Sequence, residues 1–214
     1  MPEITLTFFI EIIGTIAFAS SGAMVAIRKN LDIFGMLVLG LTTAVGGGII
    51  RDVILNLAPP TTFRYPVYMI TAAITVFIIF IGVRLKPSIL EGHFIDVYDK
   101  IMNLLDAIGL GAFTVLGINS AIVAGYEEYQ FLLVFLGMLT GIGGGIMRDV
   151  MAGVTPFVLY KHIYACASIL GAVVCIMLWE FIPSGTAMLI GAVIVVIVRM
   201  LATHYRWNLP KAVE

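Results

Sequence analysis

Six of the charged residues that stand within apolar runs of this chain fall into two similar sets. Arg51-Asp52 follows Gly46, Gly47 and Gly48 by two residues, and Arg148-Asp149 follows Gly143, Gly144 and Gly145 in the same way. Glu11 precedes Arg51 by 40 residues and Asp106 precedes Arg148 by 42. Charge at bilayer depth is costly, so it pairs, snorkels to the headgroups or lines a hydrated path. Such sets suit the passage of ions rather than the making of bonds. Ser20 and Ser21, with His162 as a conceivable base, lack the framework of a serine hydrolase and read as packing. His93 and His162 fall in a loop or near a span end and read as solvated, and no His, Cys and carboxylate cluster has metal-ligand spacing. The chain is therefore read as no enzyme, with no cofactor and no metal.

The elements that hold these charges are membrane helices. At 61% hydrophobic and 12% charged residues, with a mean hydropathy of +1.09, the chain has too few polar groups to cover a water-soluble globule. Apolar runs predict seven spans, at 4–27, 33–57, 66–85, 102–125, 129–154, 160–182 and 185–203. The fold class is all-α, in one membrane domain over 1–214. The first run contains Ala17-Phe18-Ala19 but begins with an acid, Glu3, so it is read as an uncleaved span. A net charge of −1 offers no basic face and argues against a nucleic-acid partner. Cys166 and Cys175 point to opposite faces of one helix, which excludes a disulfide between them.

Orientation follows from the basic residues. Arg28, Lys29, Arg84, Lys86, Lys100, Lys161, Arg199, Arg206 and Lys211 are assigned to one side, and Arg64 alone to the other. This bias predicts an outer N-terminus and a cytoplasmic C-terminus. Tyr65, Tyr68, Tyr126, Tyr129 and Trp179 at one interface, and Tyr98, Tyr160, Tyr164 and Trp207 at the other, fit aromatic belts.

The chain also matches itself. At an offset of 97, Gly46-Gly47-Gly48-Ile49-Ile50-Arg51-Asp52-Val53 lies over Gly143-Gly144-Gly145-Ile146-Met147-Arg148-Asp149-Val150, and Pro59 over Pro156. The expected organisation is repeat one at about 4–85, a cytoplasmic connector at 86–101, repeat two at about 102–182, and a seventh helix at 185–203. Three spans are an odd number, so the second repeat enters the membrane from the opposite side. Glycine costs roughly 1 kcal/mol relative to Ala within a helix, which leaves two uses for the triplets. One is a broken or kinked helix whose freed backbone lines a polar path; the other is close packing along Gly137, Gly141 and Gly145. The expectation is a kink at both triplets. Depth then matches Glu11 to Arg51 and Asp106 to Arg148, which predicts two symmetry-related clamps. Adjacent helical positions point about 100° apart, so Asp52 and Asp149 are expected to face away and line the pathway. Snorkelling of the arginines is the alternative.

The doubled glycine and Arg-Asp signature on seven spans resembles the prokaryotic trimeric intracellular cation channel family, and closely similar bacterial sequences carry the label glycine transporter. The resemblance runs from about Glu11 to Leu201. It implies a homotrimer in the prokaryotic inner membrane, in contact with membrane lipid. Each protomer is expected to hold its own pore for potassium and sodium, formed around the second and fifth spans. A carrier of glycine using the same repeats is the alternative.

Overall fold

In a computed structural model, the chain is described over residues 6–86, 94–159 and 163–207. His93, Tyr160, Lys161, His162, Lys211, Glu3 and residues 87–93 of the expected connector lie outside the described residues.

Among the described residues, eight α-helices run in the order α1 (Leu6–Arg28), α2 (Ile33–Ile54), α3 (Thr61–Arg64), α4 (Val67–Leu85), α5 (Phe94–Val123), α6 (Gln130–Met151), α7 (Tyr164–Trp179) and α8 (Ser184–His204). Six of them are long and apolar enough to cross a membrane, and α7 is a shorter apolar helix. The seven expected spans therefore appear as helices. Two differences stand out. The helix of the fourth span starts at Phe94, so the expected connector is helical over 94–101, and the unexpected four-residue α3 follows α2.

Local chemistry explains several ends. Asp32 caps α2 by accepting from the Gly35 N–H at 2.8 Å. Pro60, Pro66 and Pro183 stand immediately before α3, α4 and α8, where a missing N–H costs nothing.

Helices α1, α2 and α4 pack on one another, as do α5, α6 and α7, and α8 lies against α5 and α7. The two triplets of helices meet where α2 crosses α6 and α1 crosses α5. Contacts across this junction are reciprocal, as a two-fold relation between the halves requires. Gly47 lies against the Thr140 carbonyl and Gly144 against the Thr43 carbonyl. Phe18 packs on Phe113 with ring centroids 5.2 Å apart, Gly109 faces Phe18, and Gly14 faces Phe113. Inside each triplet the pattern repeats: a methyl on Gly22 would stand 2.7 Å from the Leu39 oxygen, and one on Gly117 would stand 2.6 Å from the Leu136 oxygen. These pairs place α5 on α1 at an offset of 95, against 97 for α6 on α2, because the second repeat has two more residues between its first two helices.

Of the two forms of disruption considered for the glycine triplets, a break in the helix does not occur. Helices α2 and α6 run as continuous α-helix through Gly46, Gly47, Gly48 and through Gly143, Gly144, Gly145. Each backbone keeps its own helical bonding, and the missing side chains let two helices touch carbonyl to glycine. Dispersion contacts at that crossing offset the propensity cost.

Candidate functional site

Near the C-terminal end of α6, a buried cluster of charged and polar groups is assembled from five helices. The Arg148 Nη1 donates to Asp106 Oδ1 of α5 at 2.8 Å, and its Nε donates to Asp149 Oδ1 at 2.8 Å. Nη1 also donates to the Ser21 hydroxyl of α1. Arg148, Asp106, Asp149 and Arg199 are each 1% exposed or less. The other oxygen of Asp149 accepts from the Phe157 N–H at 2.9 Å, and the guanidinium lies 5.2 Å from the Phe157 ring centroid. From α8, Arg199 stacks over the Tyr164 ring at 4.5 Å. The gap between Arg148, Asp149, Phe157 and Tyr164 is too small for a water molecule.

The equivalent end of α2 carries the same residue types in a looser arrangement. Arg51 Nε donates to Asp52 Oδ1 at 2.8 Å, with Nη2 2.7 Å from the same oxygen. Asp52 Oδ2 accepts from the Thr61 N–H at 2.6 Å. Glu11 accepts from the Tyr68 hydroxyl. Beside them lies a cavity of about 30 Å³ whose walls include Glu11, Thr15, Gly48, Arg51, Thr62 and Tyr68.

Asp106 and Arg148 thus meet directly, whereas the expected direct Glu11–Arg51 clamp is corrected: the two share a cavity wall, and Arg51 pairs with Asp52 instead. The expectation that Asp52 and Asp149 turn away from their arginines is corrected as well. Both are 1% exposed, and each spends one oxygen on its neighbouring arginine and the other on a backbone N–H beyond its own helix. The Cβ directions do diverge, but a guanidinium on a long flexible stem curls back to the adjacent carboxylate in the last helical turn.

Three residues of the site were placed elsewhere by sequence reasoning. Tyr68 and Tyr164 are 6% and 4% exposed rather than belt residues. Arg199 is buried in the appended α8 rather than set among the interfacial basic residues. Its signal was available, since it is a lone charge deep inside an apolar helix.

With this geometry established, the comparisons become specific. A family described as glycine transporter matches twice, over residues 8–84 and 103–180. The chain belongs to that family. Among family relatives, the inner membrane protein YadS of Escherichia coli strain K12 is 37% identical over 96% of this chain and 95% of its own. The membrane protein YvgT of Bacillus subtilis strain 168 is 34% identical over 94% of each. One solved structure, described under the heading of conductance through TRIC cation channels, aligns with a TM-score of 0.82 at 35% identity over 97% of this chain and 98% of that one. The trimeric intracellular cation channel orthologue from Rhodobacter sphaeroides aligns with a TM-score of 0.84 at 30% identity over 95% of this chain and 100% of that one. Members of the family with this sequence therefore share the fold of the trimeric intracellular cation channels, as multi-pass membrane proteins.

Proposed function

We propose that the protein is a monovalent cation channel passing potassium and sodium, with a pore inside each protomer of a homotrimer. The observation that carries this reading is the pair of charge clusters of matching residue type, Glu11 with Arg51-Asp52 and Asp106 with Arg148-Asp149, separated by the Gly47–Gly144 crossing. Buried ionisable groups in membrane helices mark ion routes. Full-length likeness to structures described as cation channels supports the same reading. On this reading the route follows α2 and α6 beside Gly46–Gly48 and Gly143–Gly145, where the two helices close on each other carbonyl to glycine. Asp52 and Asp149 act on it by holding the arginines and the segments that follow each helix, rather than as its walls. The repeats are inverted in the membrane, with the N-terminus and the Glu11 cluster on the outer side and the C-terminus in the cytoplasm of a prokaryotic cell.

A glycine carrier is the second reading, favoured by the description of the family itself. Against it stands the full-length likeness to structures described as cation channels. Purified protein in a planar bilayer between unequal potassium gluconate solutions separates the two. Single-channel steps reversing near the potassium equilibrium potential are expected. Glycine counterflow in proteoliposomes without such steps would overturn the channel. Native mass spectrometry is expected to return three copies, and a stable dimer or tetramer would contradict the assembly.

A further inference from the structure

The two clusters match in residue type but not in ion pairing or volume. At the α6 end, Arg148 bonds both Asp106 and Asp149, Arg199 lies buried over Tyr164, and the gap beside Arg148 and Asp149 has no room for a water molecule. At the α2 end the guanidinium in the cavity wall is that of Arg51, which is bonded to Asp52, and among the described residues no ion pair joins it to the Glu11 carboxylate across the cavity. Its bond is to the neutral Tyr68 hydroxyl. The cavity of about 30 Å³ opens at this point.

Two further groups face that cavity. Thr15 stands one turn after Glu11 on the same face of α1 and is 2% exposed; Thr62 of α3 is 7% exposed. Neither hydroxyl makes a side-chain hydrogen bond within the described residues, although a buried hydroxyl ordinarily has a partner. In the second repeat the position equivalent to Thr15 is Leu110, at 0% exposure, so the oxygen and the space are both missing there.

We infer that this cavity is a binding site for one partly dehydrated monovalent cation, held by the Glu11 carboxylate and the Thr15 and Thr62 hydroxyls. Oxygen ligands and a single carboxylate suit a hard cation of low charge. The volume suits one bare ion about the size of water, such as potassium or thallous ion. Arg51, pinned by Asp52, forms a wall that keeps the ion on the Glu11 side. On the channel reading, on which its role rests, this is where a permeating ion exchanges water for protein oxygen, on one side of the membrane only.

Thallous acetate is the probe, because the ion resembles potassium and scatters anomalously. Crystals of the full chain grown with it are expected to show an anomalous peak between Glu11 and Thr15, absent in Glu11→Gln and weakened in Thr15→Val. In detergent, rubidium is expected to raise the melting temperature of the native protein relative to N-methylglucamine, and Thr15→Val, which removes one oxygen ligand, is expected to raise the half-saturating rubidium concentration about tenfold. Thr15→Val keeps the shape of the site, so it decides the matter if Glu11→Gln fails to fold. A cavity without thallium, or rubidium stabilisation unchanged in Thr15→Val, would overturn the site. Cation-selective steps without a thallium peak would overturn the site and leave the channel standing; a peak without steps would do the reverse.

Discussion

Gly47 of α2 and Gly144 of α6 are locked into each other's helices, each against the carbonyl of the residue equivalent to its own neighbour, Thr140 for Gly47 and Thr43 for Gly144. A methyl group at either place would strike backbone, which cannot rotate away. Gly47→Ala and Gly144→Ala are therefore expected to lose about 1–3 kcal/mol or more through overpacking, seen as a lower melting temperature in detergent. Gly48 is the control. Its added methyl would come no nearer than 3.8 Å to an Arg51 nitrogen, so Gly48→Ala is expected to hold or raise stability. Equal losses at Gly47 and Gly48 would argue against the crossing as described.

Asp106→Asn is expected to cost about 3 kcal/mol or more, because Arg148 then keeps its charge in a site with no access to water. Removing both, as Asp106→Leu with Arg148→Met, is expected to cost less than Asp106→Asn alone. Chemical denaturation of the two single variants and the double variant gives the coupling, and additive losses would refute it.

Neutralising the paired aspartates is expected to weaken the fold, with Asp149→Asn worse than Asp52→Asn. Each loses an ion pair, but Arg148 lies at 0% exposure and Arg51 at 5% beside a cavity that admits water. Thermal unfolding ranks the two. The reverse order would mean that the α2 end is the tighter one.

The tyrosines separate in the same manner. Tyr68 supplies the hydrogen bond to Glu11, so Tyr68→Phe is expected to lose about 1–3 kcal/mol. Among the described residues the Tyr164 hydroxyl has no hydrogen-bond partner, and its ring carries the Arg199 stack, which phenylalanine preserves. Tyr164→Phe is expected to stay within about 1 kcal/mol of the parent protein in the same unfolding measurement.

Composition and periodicity alone determined that this chain is a membrane protein of seven apolar helices, that it contains a duplicated three-helix unit, and that Arg148 needs a carboxylate at its own depth. Those properties are legible because each depends on distance along the chain: run length against bilayer thickness, a repeat offset, and a rise per residue. Tertiary structure alone decided which partner each arginine takes, since a guanidinium sweeps a volume that includes both Asp52 and the region of Glu11, and packing selects within it. It also decided the use of the glycines. Missing side chains permit either a break or a contact, and only the arrival of a second helix with a carbonyl at the right height makes contact the more stable outcome. The role of Arg199 belongs to the same class, because α8 has no counterpart in the first repeat, and no internal comparison reveals that its charge is turned onto Tyr164 and into the second cluster.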